Sequence, residues 1–337
     1  MAQPVRLVFM GSDPLALPLL DWLAGEGGAV AKLVGIVTGP DRPSGRGQAV
    51  RPNGVREWAS GREVAVLQPE RLDAAAHAAL SALRPDLALV VAYGRILRQE
   101  FISLPRLGTL NLHASLLPRY RGASPIQTAV ASGDRETGFT LMRIVRELDA
   151  GPVADVERVA IGPLDTAADV EAGLSRAAVP LLSRTLPVIA SGGLAFREQD
   201  HARASFCRRL EKADGALDFS VGAPVLAARV NGLHPWPSVR VDIAGTPVRL
   251  GLADWLDGAA HGAPGTVEGC DAEGVLVATG SGRLRLRRLQ RPGGRMLEAQ
   301  EFLRGFPIAA GTVLESRPMP ALESAAPFRR AGPAPGP

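Results

Sequence analysis

An Asn and a His stand two residues apart in the segment NLHASLLPRYRGASPIQ, residues 111–127. The side-chain amide of Asn111 donates a hydrogen bond and does not titrate, whereas the imidazole of His113 takes or gives a proton near neutral pH. On an extended strand, residues i and i+2 project to the same side, so both side chains can face one reacting centre. An oxyanion donor beside a proton shuttle is the combination that acyl transfer requires.

A carboxylate is expected to orient the imidazole, and Asp149 in the segment RELDAGPV is the candidate. The Gly and Pro that follow it predict a tight turn that presents Asp149 on a loop. No Ser or Cys stands in an obviously activated setting, which favours direct attack by an amine over a covalent acyl-enzyme. The residue types alone leave other interpretations open. An N-x-H at a strand end can be a hydrogen-bonded turn, and Asp149 can simply cap a turn.

The first third of the chain alternates apolar runs with helical segments. The runs are RLVFMG, KLVGIVTG, LALVVAYG and GTLNLH. Short apolar runs separated by helices predict an α/β domain with a parallel-rich sheet. Asn111 and His113 come where the fourth run ends, and ligands in such folds bind at the carboxyl ends of the strands.

From about residue 206 the pattern changes to short alternating stretches separated by Gly-rich turns, such as SVRVDIAGTPVRL and GVLVATGSGRLRLRRL. This pattern predicts a small antiparallel β domain, with a barrel as its expected form. We therefore expect an α/β domain over residues 1–189, a linker over 190–205 and a β domain over 206–317. The Pro- and Ala-rich end, residues 318–337, is expected to be disordered.

The composition of the 337 residues, 46% hydrophobic and 21% charged, is that of a globular protein of about two domains. Its two cysteines, Cys207 and Cys270, do not form a C-x-x-C pair, and two isolated cysteines in a chain of this length argue against a disulfide scaffold and a zinc site. The N-terminus lacks the pattern of a signal peptide, and no stretch has the length of a membrane span. We expect a cytoplasmic protein that does not enter a membrane.

Four short motifs together resemble the signature of the 10-formyltetrahydrofolate-dependent formyltransferases. They are Asn-x-His-x-Ser-Leu-Leu-Pro at 111–118, Tyr-Arg-Gly at 120–122, Pro-Ile-Gln at 125–127 and Leu-Asp-Ala-Gly at 148–151. The resemblance implies a Rossmann-like N-terminal formyltransferase domain with a parallel-rich sheet, followed by a small OB-like β-barrel domain. It also implies 10-formyltetrahydrofolate as the one-carbon donor and no metal.

The resemblance assigns roles to individual residues. Asn111 would polarise the formyl oxygen, His113 would assist proton transfer, and Asp149 would orient His113 and help to deprotonate the amine. The folate site would be lined by Ser115, Leu116, Leu117 and Pro118, whose backbone groups would hydrogen-bond the pterin. Two residues depart from the family pattern: Glu147 stands where Gly is usual, and Ala150 replaces Thr.

The segment GPDRPSGRGQ at 39–48 resembles a loop of the family members that formylate methionyl-tRNA. In those members the loop enters the acceptor end of the tRNA, so the resemblance implies that Arg42 and Arg46 contact tRNA phosphates or bases. The segments LEKADGALDFS at 210–220 and VNGLHPWPSVRV at 230–241 resemble the start of the C-terminal domain in the same members.

A third feature points to tRNA. In GRLRLRRLQRPGGR, residues 282–295, Arg alternates with Leu. The strand period places Arg283, Arg285 and Arg287 on one face, which suits a nucleic-acid backbone. A basic strand can also be a merely solvated face.

These features together predict a monomer that formylates the α-amine of initiator methionyl-tRNA. Two alternatives are a formyltransferase that acts on a sugar amine and a tRNA- or folate-binding protein without catalysis.

Overall fold

The structure is a computed structural model that describes residues 3–44 and 49–328. Packing divides the chain into two compact units, and the division is not linear along the sequence. Unit 1 comprises Met1–Arg121, Gly138–Val159 and Glu171–Ala204, and unit 2 comprises Gly122–Thr137, Ala160–Val170 and Ser205–Pro337. The linear domain boundaries expected at residues 189 and 206 stay a prediction.

The elements of the described residues are numbered in chain order. The strands are β1 Val5–Met10, β2 Ala31–Val37, β3 Arg42–Ser44, β4 Ala49–Arg51, β5 Ala65–Leu67, β6 Leu87–Val90, β7 Thr109–His113, β8 Arg121–Gly122, β9 Glu136–Arg143, β10 Val153–Ala160, β11 Phe206–Cys207, β12 Val239–Ile243, β13 Thr246–Leu256, β14 Val267–Cys270, β15 Val275–Ala278, β16 Arg283–Gln290, β17 Leu297–Glu298 and β18 Glu323–Ser324. The α-helices are α1 Leu17–Ala24, α2 Gly54–Ala59, α3 Ala74–Ala82, α4 Gln99–Ile102, α5 Pro125–Ala131, α6 Ala167–Ala190, α7 Ala223–Gly232 and α8 Ala299–Gly305. Within the described residues, none of these helices is both long and apolar enough to cross a bilayer.

The main sheet has seven strands in the order β10-β9-β7-β6-β1-β2-β5. The five strands from β7 to β5 in this order pair in parallel. The predicted parallel-rich sheet is therefore confirmed, and its four predicted apolar runs are β1, β2, β6 and β7. β9 pairs antiparallel with β7, and the apolar-run pattern predicts neither β9 nor β10.

The central strand β1 shows why its sequence is a continuous apolar run. Leu7, Val8 and Phe9 follow one another and are all fully buried. Because successive strand residues point to opposite faces, both faces of β1 are covered. The parallel strands end at a common edge of the sheet, and the end of β7 carries the predicted catalytic residues to that edge.

Unit 2 contains an antiparallel sheet with the strand order β12-β13-β16-β15-β14, and β17 pairs with β16. The predicted antiparallel C-terminal domain is therefore confirmed. β12 and β13 form a hairpin whose turn residues, Ala244 and Gly245, have φ values of 50° and 79°. Positive φ at both turn residues matches the twist of the two strands. Along β12 every second side chain is buried, as the alternating sequence predicts.

Helix α7 belongs to unit 2, although the sequence pattern predicts little helix in this region. It packs on β13 and on α5. The approach to α5 requires glycine at the last residue of α7, because a Cβ on Gly232 would lie 2.3 Å from the backbone nitrogen of Ala131.

Residues 318–328 correct the prediction of a disordered tail. Glu323–Ser324 pair antiparallel with Phe206–Cys207. Leu322 is buried, and Arg229 donates a hydrogen bond of 2.9 Å to the Pro320 carbonyl oxygen. Composition does not predict these contacts, because two of the three are made by backbone groups. The remainder of the predicted tail, 329–337, lies outside the described residues.

Candidate active site

His113 is the last residue of β7, and its side chain is buried. Its Nε2 lies 2.8 Å from the backbone oxygen of Tyr120. A carbonyl oxygen can only accept a hydrogen bond, so Nε2 carries the proton, and in the neutral ring Nδ1 keeps its lone pair. The φ of 58° at Tyr120 belongs to the turn that brings this carbonyl back toward β7. The atom of His113 that can take a proton is therefore Nδ1.

Asp149 faces His113 from the turn between β9 and β10. Its Oδ2 lies 3.7 Å from His113 Nδ1. This distance is too long for a hydrogen bond, but a carboxylate so close stabilises the positive charge of a protonated ring. Asp149 has a φ of 47°, a left-handed conformation in which Asp and Asn are enriched among non-glycine residues. The structure thus places two of the predicted catalytic residues side by side.

The two departures from the family pattern lie on either side of Asp149 in the same turn. The backbone N–H of Ala150 donates to the Glu147 carbonyl oxygen at 3.3 Å. The side chain of Glu147 is exposed. Glu147 therefore helps to close the turn through its backbone.

Asn111 precedes His113 by two residues on β7, so strand alternation puts the two side chains on the same side. In the sheet, Asn111 stands in register with Val90 on β6 and with Met142 on β9. Its side chain is half-buried and forms no hydrogen bond with the rest of the described chain. The amide is therefore a donor held on a rigid strand and still available to a ligand.

The predicted folate segment, Ser115–Pro118, follows β7 directly. Ser115 is fully buried. Its hydroxyl donates to the Arg119 carbonyl oxygen at 2.7 Å, and its own carbonyl oxygen accepts from the Thr140 hydroxyl at 2.6 Å. The N–H of Leu117 donates to the Thr140 hydroxyl oxygen at 3.1 Å. The Ser115 carbonyl oxygen and the Leu117 N–H are thus engaged within the protein. The three residues after Ser115 are half-buried, and contact of this segment with the pterin stays a prediction.

The turn that carries Asp149 is held by Gln199, which lies in the predicted linker. The amide nitrogen of Gln199 donates to the backbone oxygens of Asp149, at 2.9 Å, and Gly151, at 2.7 Å. Its amide oxygen accepts two hydrogen bonds from the Arg121 guanidinium, at 3.2 and 2.7 Å. Gln199 is buried, so all of its amide groups are used in fixing this turn.

Arg121 is the buried cation behind this turn. Burial lowers the pKa of Arg121, and the negative charge of Asp149 opposes that shift. Its Nη2 also lies 3.0 Å from His201 Nδ1. The motif at 120–122 marks Arg121 in the sequence, but no local signal marks Gln199, because the two residues are 78 positions apart.

The described part of the basic segment, residues 39–44, ends in β3. β3 and β4 pair antiparallel, with Arg42 directly opposite Arg51. Arg42 is exposed, and its guanidinium lies 3.3 Å from the Glu70 carboxylate. Arg46, the second predicted tRNA contact of this segment, lies outside the described residues.

The predicted basic stripe on β16 is not a free cationic surface. Leu284 and Leu286 are buried, as the alternation predicts. However, Nε and Nη2 of Arg285 each donate to the Asp254 carboxylate at 2.7 Å. Nη1 of Arg287 donates to the same carboxylate at 2.7 Å. The cross-strand register explains this pairing, because Asp254 on β13 stands directly opposite Arg285.

Two further acids complete this ion cluster. Asp271 lies 3.1 Å from Arg285, and Glu273 pairs with both Arg285 and Arg287. Three carboxylates face two guanidinium groups, so no positive charge is left for a phosphate. The Nε of Arg283 is buried without a hydrogen-bond partner in the described residues. In the described residues Arg285 and Arg287 are thus paired with acids, and the expectation that Arg283, Arg285 and Arg287 contact tRNA stays a prediction.

The ion cluster shifts the titration of its members. Burial raises the pKa of Asp254, but the hydrogen bonds and charges of Arg285 and Arg287 outweigh it and hold this pKa below its usual value. The hydrogen bonds from Arg285 to Asp254 are the main cause of a raised pKa at Arg285.

A mainly apolar cavity of about 510 Å³ opens in unit 1 near the carboxyl ends of β1, β2 and β5. Its walls include Met10, Val37, Leu80 and Phe101. None of the predicted catalytic residues lines it, so the cavity and the His113 site are separate features. In the described residues, no group of three or more His, Cys, Asp or Glu is arranged to hold a metal ion.

Comparison with known proteins identifies the family. A family model described as formyl transferase matches residues 5–186, and one described as formyl transferase, C-terminal domain, matches residues 209–307. The chain is 42% identical over 313 residues to the methionyl-tRNA formyltransferase of Bordetella parapertussis, covering 90% of this chain and 99% of that one. It is 38% identical over 316 residues to that of Aromatoleum aromaticum, with coverages of 94% and 98%. This chain belongs to the formyl transferase family.

Solved structures agree with the formyl transferase fold. The N-formyltransferase from Helicobacter canadensis, in complex with folinic acid and dTDP-3-aminofucose, superposes with a TM-score of 0.63 at 15% identity. The superposition covers 85% of this chain and 99% of that one. The predicted fold class is therefore confirmed. The predicted one-carbon donor is confirmed as well, because the formyl transferase family uses 10-formyltetrahydrofolate.

Replacing Gln199 tests whether its hydrogen bonds fix the turn that carries Asp149. Gln199→Glu keeps the size of the side chain and its pairing with Arg121 but removes both donors to the Asp149 and Gly151 carbonyl oxygens. We expect kcat of formyl transfer to fall about tenfold or more, because displacement of a catalytic group by about 1 Å can cost up to 10²-fold. The melting temperature is expected to fall as well, because two carbonyl oxygens lose their donor and face a carboxylate oxygen instead.

Gln199→Ala provides the contrast. It also leaves Arg121 without its acceptor, and each buried group left unpaired costs about 1–3 kcal/mol, so this variant loses stability as well as kcat. Steady-state kinetics and thermal unfolding separate the two effects. Unchanged kcat in Gln199→Glu would show that the turn does not depend on Gln199.

The ion cluster predicts a pH-dependent stability. A carboxylate whose folded pKa is lowered adds stability above its unfolded pKa of about 3.9, and this stability is lost as the pH falls through the folded value. Asp254→Asn should therefore destabilise the protein at pH 7 by roughly 1.5–3 kcal/mol, the value of a hydrogen bond to a charged group. The difference in the free energy of unfolding between wild type and variant should become smaller as the pH falls below about 4. Thermal unfolding between pH 7 and 3 measures this difference, and Asp257→Asn, at an exposed residue, is the control. A difference in stability that does not change with pH would contradict the role of the Asp254 carboxylate.

Proposed function

We propose that this protein transfers the formyl group of 10-formyltetrahydrofolate to the α-amino group of methionine on initiator tRNA, giving N-formylmethionyl-tRNA for translation initiation. The observation that carries the proposal is the match to curated methionyl-tRNA formyltransferases over nearly the whole of both chains. The site in unit 1 supports it, because it supplies a hydrogen-bond donor and a proton carrier at the end of β7 and a carboxylate in the turn between β9 and β10.

Asn111 is the proposed oxyanion donor. As the amine nitrogen attacks the formyl carbon, a new C–N bond forms and the carbonyl oxygen gains negative charge. The amide of Asn111, fixed on β7 between β6 and β9, donates a hydrogen bond to this oxygen. Because the strand is rigid, little reorganisation is needed when the charge appears.

His113 is the proposed proton carrier, and Nδ1 is its reacting atom. Nδ1 takes the proton that the attacking amine releases, while Nε2 keeps its hydrogen bond to the Tyr120 carbonyl oxygen. Asp149, at 3.7 Å from Nδ1, stabilises the imidazolium that forms. The proton then passes to N10 of the folate as the C–N10 bond breaks, and tetrahydrofolate leaves.

The loop after β7 is the proposed wall of the folate site. Ser115 and Thr140 fix its backbone from the protein side. Leu116, Leu117 and Pro118 are half-buried, and they present apolar surface to a flat ring.

Arg42 is the proposed tRNA contact in unit 1. It stands exposed on the hairpin formed by β3 and β4, opposite Arg51. Like charges placed directly opposite each other destabilise a strand pair. A phosphate between the two guanidinium groups would offset this repulsion. Monomeric state and a cytoplasmic location remain predictions.

Transfer to a sugar amine is the second candidate function, since the similar structure from Helicobacter canadensis contains dTDP-3-aminofucose. That likeness concerns the fold alone, whereas the relatives at 38–42% identity are methionyl-tRNA formyltransferases. Incubation with 10-formyltetrahydrofolate and either charged initiator tRNA or an amino nucleotide sugar separates the two. Turnover of the sugar alone would overturn the proposal, and tRNA binding without turnover would favour a non-catalytic protein.

Asn111→Ala tests the oxyanion donor. Loss of one such donor lowers kcat by about 10²–10³-fold, and we expect this loss with little change in the KM for tRNA. The fold should tolerate the change, because the Asn111 amide has no hydrogen bond to lose within the described chain. Gln99→Ala removes an exposed amide and serves as control; wild-type kcat in Asn111→Ala would remove Asn111 from the mechanism.

Two variants, Arg42→Ala and Glu70→Gln, test whether Arg42 contacts tRNA. Arg42→Ala should weaken tRNA binding and reduce the slope of log K against log salt by about 1, as expected when one phosphate is no longer neutralised. Glu70→Gln releases Arg42 from its exposed ion pair and should leave tRNA affinity unchanged or tighter. Binding measured from 50 to 300 mM salt tests both variants, and equal affinity of Arg42→Ala and wild type would exclude the interaction.

A further inference from the structure

A second, smaller cavity lies in unit 1, beside the beginning of β7 and the end of β9, and its volume is about 200 Å³. Two arginines, Arg106 and Arg143, line it, and we name it the arginine cavity. Its apolar wall includes Leu107, Leu110, Leu194 and Phe196. None of the predicted catalytic residues lines it, so the arginine cavity is separate from the site of formyl transfer.

Arg143 is the last residue of β9, and its side chain is exposed. Its guanidinium stacks on the Phe196 ring, with Cζ 4.4 Å from the ring centroid. The guanidinium also lies against Gly108, since a Cβ at Gly108 would be 3.3 Å from Arg143 Nη1. In the part of the chain that the structure describes, the Arg143 side chain has no acid partner and no hydrogen bond. Its N–H donors are therefore available to a ligand.

Arg106 stands two residues before Gly108, so its side chain starts close to the Arg143 guanidinium. Its Nε donates to the Asp86 carboxylate at 2.6 Å. Within the described residues, neither terminal amino group of Arg106 has a hydrogen-bond partner. Arg106 thus uses one side of its guanidinium for Asp86 and keeps the other for a ligand.

Asp86 neutralises one of the two arginines. It also accepts a hydrogen bond of 2.9 Å from the Arg6 backbone N–H. Burial raises the pKa of Asp86, but the hydrogen bonds and charges of Arg6 and Arg106 outweigh it and hold this pKa below its usual value. The carboxylate is therefore ionised at neutral pH.

The charge of Arg143 is left unmatched. Among the described residues that line the arginine cavity there is no Asp or Glu. Glu198, two residues after Phe196, is exposed and forms no ion pair in the described chain. Two guanidinium groups with one carboxylate leave a single positive charge, which one further carboxylate would balance.

The size of the arginine cavity limits its ligand. Sites for drug-sized molecules have volumes of about 300–1,000 Å³, and this cavity is smaller. The leucines of its wall favour a ligand that carries a short apolar group over an inorganic ion, because apolar surface gains free energy when it is removed from water.

We propose that the arginine cavity binds the carboxylate of a small organic acid. The carboxylate accepts hydrogen bonds from Arg143 and from the terminal amino groups of Arg106, since the planar guanidinium matches the geometry of a carboxylate and is weakly hydrated. The apolar part of the acid lies against Leu107, Leu110 and Leu194. The inference does not depend on the proposed function, because it uses none of the residues assigned to formyl transfer.

Benzoate, which joins one carboxylate to a small apolar ring, is the probe. Titration calorimetry of the full chain in a phosphate-free buffer measures its affinity. Arg143→Gln and Arg106→Gln should each weaken binding about tenfold or more, as expected for the loss of a hydrogen bond to a charged group. Arg143→Lys keeps the charge but loses the planar fork, so its affinity should lie between those of wild type and Arg143→Gln. Arg176→Gln removes an exposed arginine of α6 and should bind like wild type.

Leu194→Trp separates binding in the cavity from attraction to surface charge. It keeps both guanidinium groups and fills part of the cavity with a larger side chain, and the fold should tolerate it because Leu194 is only half-buried. Benzoate binding should be lost in this variant. Wild-type affinity in Leu194→Trp would overturn the proposal. Thermal unfolding without ligand identifies any variant that loses binding because it is unfolded, and the remaining variants then decide the result.

Two further probes test the chemistry of the ligand. Inorganic phosphate should bind more weakly than benzoate, because it has no apolar part. Phenyl phosphate that binds tenfold more tightly than benzoate would overturn the assignment to a carboxylate. Absence of saturable benzoate binding to wild type, or equal binding by wild type, Arg143→Gln and Arg176→Gln, would overturn the site itself. No formyl donor or tRNA is present in these measurements, so a failure of the proposed function would leave their outcome unchanged.

Discussion

The hydrogen bond from His113 Nε2 to the Tyr120 carbonyl oxygen is the constraint on which the site depends. It fixes the tautomer of the ring, so that in the neutral ring the lone pair is on Nδ1, on the side of Asp149. The bond can form only if the chain turns back within seven residues of β7. The buried Ser115 hydroxyl and the Thr140 side chain stabilise that return. The loop that is proposed to hold the folate is therefore the same loop that sets the chemistry of His113.

Asp149 depends on a more distant set of contacts. Its turn has a left-handed backbone, and the carbonyl oxygens on it are held by the Gln199 amide, which is in turn held by Arg121. Tyr120 and Arg121 are consecutive, so one short segment positions both His113 and Asp149. The Tyr120 carbonyl oxygen orients His113, and the Arg121 guanidinium supports, through Gln199, the turn that carries Asp149. This shared origin gives a physical reason for the Tyr-Arg-Gly motif to stand close behind the Asn-x-His pair.

The sequence predicts the features that repeat locally. Buried parallel strands are continuous apolar runs, and the surface hairpin of β12 and β13 alternates, so both sheets could be expected from the pattern. Asn111, His113 and Asp149 could be named because strand alternation and turn residues have short-range signals. Gln199 could not, because it acts through hydrogen bonds to residues about 50 and 78 positions away. The paired segment at 323–324 escaped prediction for a related reason, since its contacts are made by the backbone.

The arginines show most clearly where the pattern of one strand stops being informative. The alternation in β16 correctly predicts that Leu284 and Leu286 are buried. It does not predict which residues of the neighbouring strand stand opposite the arginines. Register places Asp254 opposite Arg285 and places Arg249 opposite Arg240. Arginine is thus paired with carboxylates in one case and, in the other, stands opposite a second arginine. A basic stripe in a sequence therefore predicts a binding surface only after its cross-strand partners are known.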